Sequence, residues 1–166
     1  MKHLRAILFS LTVAALLLHS AQAGEAGKRL KIHFFTSPLC PHCKHAEKDL
    51  PFILQRYPQI TLANYEVLNA RGRVDAANLR NRGIMIALLR NINARLEGRP
   101  FIYESGRPHA FALVNGTPYY LVKISAATTV KKDIPIPLFI MGDRAYIGYR
   151  RQDIERAIAR YSGNSR

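Results

Sequence analysis

Two cysteines, Cys40 and Cys43, stand three residues apart, and the chain has no others. So short a loop loses little entropy on closure, so this pair cannot staple a scaffold. A four-cysteine zinc module is equally excluded. The pair must therefore sit in a fold held by an ordinary hydrophobic core. The chain can supply one: 166 residues, 48% of them hydrophobic, suit a single packed domain and exclude wholesale disorder. What flanks the pair narrows the choice further. Leu30 to Thr36 (LKIHFFT) reads as a strand bounded by Ser37-Pro38, and Pro41 to Tyr57 reads as a helix. Pro41 fits the first helical turn, where its missing N–H costs nothing. Ala46, Leu50, Ile53 and Leu54 fall on one face, Pro51 should kink the helix, and Pro58 ends it.

Cys40 thus falls at or just before a helix start. There the unpaired N–H groups and the helix dipole favour negative charge, so a Cys40 thiolate is stabilised. His42, when protonated, and Lys44 add positive charge nearby. Cys43, one turn on, is expected to be more buried and less acidic. A Cys-x-x-Cys between a strand and a helix points to thiol–disulfide exchange.

The remaining pattern is mixed. Ile60 to Leu68 reads as a second strand. Val74 to Leu96 is helical, with Gly83 predicted to divide it in two. His109 to Val114 and Thr117 to Ile124 flank Asn115-Gly116, a hairpin signal that Pro118 weakens. Pro137 to Met141 is an apolar strand, Gly142-Asp143 a turn, and Arg144 to Tyr149 its partner. Arg151 to Tyr161 closes the chain as an amphipathic helix. The order predicts an α/β domain. Its first half is a parallel right-handed crossover and its second an antiparallel hairpin, in a small mixed sheet with helices on both faces.

The first 23 residues have the layout of a secretory signal peptide. Lys2 and Arg5 precede an apolar run from Ala6 to Leu18, and Ala21-Gln22-Ala23 is a small-x-small cleavage pattern. The run is short against the ~20 apolar residues of a membrane span; an uncleaved N-terminal anchor is the alternative. Cleavage after Ala23 leaves 143 of the 166 residues and, with Lys2 and Arg5 gone, takes the formal charge from +14 to +12. The chain is thus expected to be exported, to a bacterial periplasm, where a disulfide can persist.

Strand, Cys40-Pro41-His42-Cys43, helix, strand resembles the N-terminal half of the thioredoxin-like superfamily, and the Pro-His dipeptide is similar to that of the periplasmic Dsb-type oxidoreductases. Ile136-Pro137-Leu138-Phe139-Ile140-Met141-Gly142-Asp143, followed by Tyr146-Ile147-Gly148-Tyr149, resembles the second half of glutaredoxin-like domains. The resemblance covers Lys31 to about Leu68 and Asp133 to Tyr161. It implies a thioredoxin-like fold over 24–166: a central mixed sheet flanked by helices, with an insertion at about 70–132 between the second strand and the cis-proline strand. It implies that Pro137 is the cis proline facing the cysteine pair. Pro135 is an alternative with poorer spacing to Gly142, and a trans proline at a strand start is the plainer reading.

By the same resemblance, Cys40, Pro41, His42 and Cys43 form the catalytic motif. Cys40 forms mixed disulfides with protein thiols or disulfides, Cys43 resolves them, and His42 stabilises the reduced thiolate. Ile136 and Pro137 pair with the substrate strand, a second protein recycles the dithiol, and no cofactor is needed. Three positions depart from thioredoxin. Phe34 replaces a buried acid, Leu39 a tryptophan, and Leu138 a frequent threonine. Glu47, one turn along the helix, is a candidate for the missing acid, against its reading as a solvated helix residue.

Two other constellations compete. His33, His42 and His45 lie near the cysteines, a donor set with affinity for Zn²⁺ or Cu(I). His33 belongs to the preceding strand and His45 points to solvent in this reading, so no metal is assigned. The stretch Arg71 to Arg107 carries eight arginines (71, 73, 80, 82, 90, 95, 99, 107) against three acids. It reads as a solvated face or as a surface for an acidic protein or an anionic membrane; export argues against nucleic acid, and no nucleic-acid motif accompanies it. The function expected is an exported thiol–disulfide oxidoreductase acting on envelope or secreted proteins. The alternative is a metal-binding or envelope-complex assembly factor without turnover.

Overall fold

The computed structural model describes residues 30–162; the expected signal peptide, residues 1–23, lies outside them. In chain order the elements are β1 (Lys31–Thr36), α1 (Pro41–Arg56), β2 (Thr61–Glu66), α2 (Ala76–Arg95), β3 (Ile102–Glu104), β4 (Arg107–Val114), β5 (Thr117–Lys123), β6 (Thr129–Asp133), β7 (Leu138–Met141), β8 (Arg144–Ile147) and α3 (Arg151–Tyr161). All eight strands join one sheet in the order β2-β1-β7-β8-β3-β4-β5-β6.

β1 and β7 form the middle of the packed region because their sequences are apolar at consecutive positions. A strand covered on both faces reads that way, whereas a strand with one wet face alternates. Alternate residues divide between two cores, since successive side chains point to opposite faces. Ile32, Phe34, Phe139 and Met141 pack with Ala46, Leu50 and Ile53 of α1 and Ile154, Ala157 and Ile158 of α3. Phe35, Leu138 and Ile140 pack with Met85, Leu89 and Ile92 of α2 and with Phe101 and Ile102. Helices therefore cover both faces. β1 and β2 run parallel, and β7 and β8 form the antiparallel hairpin closed at Met141 and Arg144.

The expected thioredoxin-like fold, a small central sheet carrying an insertion at 70–132, is corrected. The domain remains α/β, but among the described residues eight strands and three helices give 35% helix and 32% strand, richer in sheet than that expectation. The stretch 70–132 supplies four of those strands rather than an appendage. β3 docks parallel on β8, and β4, β5 and β6 extend the sheet from it in antiparallel register. The physical link is Phe101-Ile102, wholly buried, which carries the second core across to Phe111 and Tyr120. The Asn115-Gly116 hairpin is present, with φ of 50° and 78° at its two turn residues. Pro118 is tolerated opposite Leu113 because β6 pairs no farther along β5 than Tyr119, so nothing on that edge requires its N–H.

Gly83 does not divide the helix. α2 runs unbroken over 20 residues. Asp75 caps it through the N–H groups of Ala77 and Asn78, Asn78 returns a bond to the Asp75 N–H, and Met85, Leu89 and Ile92 are buried along one side. One mid-helix glycine costs only ~0.5–1 kcal/mol, which these contacts exceed. Gly142 is different. Its φ is +58° and an added Cβ would stand 2.5 Å from the Tyr161 ring. Gly83→Ala, where an added Cβ meets nothing within 4 Å, should raise the chemical-denaturation midpoint by an amount worth ~0.5–1 kcal/mol. Gly142→Ala should lower it; a rise there, or a fall at Gly83, would contradict this account.

Candidate functional site

The loop between β1 and α1 is set by its own hydrogen bonds. Ser37, 1% exposed, accepts the Cys40 N–H on its carbonyl at 3.0 Å and the Leu39 N–H on its hydroxyl at 3.3 Å. This turns the chain so that Cys40, with extended backbone, becomes the N-cap of α1 and Pro41 its first residue. The N-cap role usually falls to an oxygen-bearing side chain. Here the Cys40 sulfur takes it, accepting the Cys43 N–H at 3.2 Å. That amide and the positive end of the helix dipole stabilise negative charge on Sγ of the reduced residue.

The two cysteines form a disulfide with Cα atoms 5.2 Å apart. They differ in access: Cys40 is partly exposed, whereas Cys43 is fully buried and part of the core under α1. Exchange chemistry needs this asymmetry, one sulfur open to a partner and one reserved for the return step. Leu39 flanks the pair at 55% exposure, so the rim beside Cys40 is apolar.

Across from Cys40 lies the loop leading into β7. The Ile136–Pro137 peptide is cis, as expected for Pro137. Pro137 is buried and its carbonyl accepts the Gly148 N–H at 2.8 Å, while Ile136 is partly exposed. The Ile136 carbonyl oxygen stands 3.8 Å from Cys40 Sγ. Cys40, Cys43, Pro41, Ile136 and Pro137 are thereby brought together. His42 sits in the first turn of α1 and is exposed. Glu47 is exposed on α1, yet its carboxylate accepts the buried Thr36 hydroxyl at 3.0 Å, which ties the helix to the end of β1.

The competing metal-type constellation of His33, His42 and His45 with the cysteines is not gathered. Among the described residues no group of three or more His, Cys, Asp or Glu side chains is close enough to hold an ion. His33 stacks on Tyr65, its Nδ1 3.2 Å from the tyrosine hydroxyl, on the face opposite to Phe34. Burial, and secondarily the neighbouring Lys31, hold the His33 pKa below the usual histidine value.

Two features beside the cysteines are absent from the sequence reading. Asn69 organises the loop after β2, its side chain accepting the N–H groups of Arg71 and Arg73 at 3.0 Å each. Gly72 of that loop lies against Leu39, where an added Cβ would be 3.3 Å from Leu39 Cδ1. Two of the eight arginines therefore belong to a loop that touches the rim of the cysteine site. The Asn-x-Arg-Gly pattern is a turn signal that could have shown the loop, though not its neighbour. The second feature is an open groove of ≈ 760 Å³ that begins at Ile136 and runs between α2 and the β4–β5 turn, lined by Leu68, Leu79 and Ile134 among others. It joins segments distant in sequence, so only the fold reveals it.

No family model, curated protein or solved structure matches this chain. No described helix is long and apolar enough to cross a membrane.

Two outcomes follow from this geometry. Brief alkylation of the reduced chain, read by mass spectrometry, should label Cys40 well before Cys43; equal labelling would remove the asymmetry. The second concerns His33. Its folded pKa lies below the unfolded value of about 6.5, so folding favours the neutral ring. Stability is then unpenalised above that value and falls as pH drops from about 6.5 toward the depressed folded pKa. His33→Gln should flatten the pH dependence of the denaturation midpoint between pH 7 and 5, and an unchanged slope would show that His33 does not carry it.

Proposed function

We propose that this chain is an exported thiol–disulfide oxidoreductase that exchanges disulfides with envelope or secreted polypeptides through Cys40 and Cys43. The observation that carries the reading is the setting of Cys40. Its sulfur caps a helix, is partly open to solvent, and lies 3.8 Å from the Ile136 carbonyl, while Cys43 beside it is buried.

In the oxidised chain a substrate thiolate attacks Cys40 Sγ. The Cys40–Cys43 bond breaks, Cys43 leaves as a thiolate, and a Cys40–substrate disulfide forms. A second substrate thiolate then attacks the substrate sulfur and releases Cys40 as a thiolate, which the Cys43 N–H and the helix dipole stabilise. The substrate has lost two electrons to the cysteine pair. Run backwards, the same steps reduce a substrate disulfide, with Cys43 resolving the mixed species. His42 in the first turn adds positive charge when protonated.

The main chain of Ile136, a partly exposed residue beside the cis peptide, offers a bound substrate strand a pairing edge, and the groove opening at Ile136 gives it room to continue. A second protein recycles the pair, and no cofactor enters the exchange. The arginine-bearing loop at Leu39 favours acidic partners. The export reading rests on the basic start, apolar run and Ala-Gln-Ala pattern of the first 23 residues.

The test is a trapping pair. Cys43→Ser should accumulate a covalent adduct with a disulfide-bearing polypeptide, released by dithiothreitol, because the resolving thiol is gone. Cys40→Ser should accumulate none. No adduct with Cys43→Ser, or equal adducts with both variants, would refute the reading.

A further inference from the structure

A second site lies away from the cysteines, in the crease where α3 crosses β8 and β3. It is a pocket of ≈ 220 Å³, and four arginines line it: Arg144 from β8, Arg150 at the start of α3, and Arg156 and Arg160 farther along α3. The single carboxylate in its wall, Asp153, is engaged by Arg156 at 2.5 Å. The lining thus carries a surplus of three positive charges around a small concavity. None of these arginines belongs to the stretch 71–107.

Three further observations set this apart from the general basicity of the chain. First, Arg144 is held rather than free. Its guanidinium carbon lies 5.0 Å over the Tyr103 ring, which itself stacks on Tyr146 at 5.5 Å, and its side chain is only 28% exposed. A guanidinium fixed on an aromatic face keeps its donor fork in one orientation. Second, the N-cap of α3 is Arg150, and it makes no side-chain cap hydrogen bond. Ser, Thr, Asp or Asn is preferred there, and a cation is disfavoured at the positive end of the dipole. The break in local preference is offset if an anion occupies the crease. Third, the pocket has an aromatic, partly desolvated floor. Burial of the Tyr146 phenol pushes its pKa up to about 12.

We infer that this crease is a binding site for a phosphate group, held by the guanidinium forks of Arg144, Arg150 and Arg160 over the Tyr103–Tyr146 pair. Arginine forks match phosphate oxygens in bidentate geometry, and the volume suits one phosphate with a small part of what it is attached to. Two sources present that chemistry, a soluble phosphate compound and the headgroup of an anionic phospholipid. The site stands independently of the redox reading, since no cysteine, His42 or cis-proline loop residue lines it.

The experiment uses the whole chain and two probes. One arm titrates inorganic pyrophosphate by calorimetry. The other measures cosedimentation with vesicles of phosphatidylcholine containing phosphatidylglycerol, with and without competing pyrophosphate. Saturable binding in either arm is expected, weakened about tenfold by Arg144→Gln and by Arg160→Gln, as loss of one charge-assisted contact implies. Arg80→Gln and Arg82→Gln, exposed arginines of α2, should leave it unchanged. Thermal midpoints of all four variants establish that they fold, and Arg160, exposed on α3, is the substitution least able to disturb the core. Binding in the pyrophosphate arm alone marks a soluble ligand. Vesicle binding that pyrophosphate displaces marks a headgroup. No saturable binding in either arm, or equal weakening by the α2 variants, would overturn the site.

Discussion

The antiparallel register of β1 against β7 is the constraint on which the site depends. Phe34 faces Phe139 and Phe35 faces Leu138 across that pair, with the Phe34 and Phe139 rings stacked at 4.6 Å. Both strands are covered on both sides, so the register is fixed twice, once by each core. A slip of one residue would send Phe34 toward α2 and Phe35 toward α1, emptying two packed layers together. The same register places the cysteine site. Beyond Phe35 and Leu138, the chain leaves β1 through Ser37 to Cys40 and enters β7 from Ile136 and Pro137. The two ends of one hydrogen-bonded pair thus converge, and Cys40 meets the Ile136 carbonyl because Phe35 meets Leu138.

That arrangement lets apolar packing position a polar event. Cys43, Ala46, Leu50 and Ile53 anchor α1 by its buried side, so core packing holds the helix N-terminus at the end of β1, where the Cys40 sulfur caps it. Cys40 is left with one amide donor, one facing carbonyl and a solvent side. Thr36 and Glu47 brace the junction from the polar side, and Tyr149 donates to Asp49 on α1 at 2.7 Å, tying the start of α3 to the same helix. Burial and the Asp49 carboxylate raise the Tyr149 pKa, which keeps the phenol proton in that bond.

How much of this could be read beforehand depends on whether the signal was local. β1, α1 and the β7–β8 hairpin were legible because each carries its own pattern: a run of apolar residues, a Pro-started helical stripe, a Gly-Asp turn between apolar strands. The placement of Cys40 at the helix start was legible for the same reason, since cap and spacing act within one turn. The eight-stranded sheet was not. β3 is three residues long, shorter than any periodicity test resolves. β6 (TVKKD) is exposed throughout and holds its place by main-chain pairing to β5 alone; its lysines, which suit an edge strand, hide it from an apolar template. Gly83 misled for the complementary reason. A glycine is a local breaker, and the buried Met85, Leu89 and Ile92 that outweigh it act only in the assembled fold.

The charge distribution follows the same division between local and assembled features. Counted along the sequence, the arginine surplus looked concentrated in 71–107, and those eight side chains are exposed in the structure. Assembly sorts them by neighbourhood instead: Arg71 and Arg73 in the loop beside Leu39, Arg80, Arg82 and Arg90 along α2. The denser concentration arises where sequence spacing gives no hint of it. Arg144 comes from a strand and Arg150, Arg156 and Arg160 from the start and body of the next helix, and they converge because α3 packs Ile154 and Ile158 into the first core and so sets its adjoining flank, with Ala157, against β8 and β3. Crowding like charges destabilises a compact state unless something offsets it. The ion pairs nearby, Arg156 with Asp153, Arg151 with Glu155 and the long contact of Arg144 with Asp143 at 3.9 Å, are pairs whose worth is ~0–1 kcal/mol each, too little to account for four guanidiniums gathered around one small concavity.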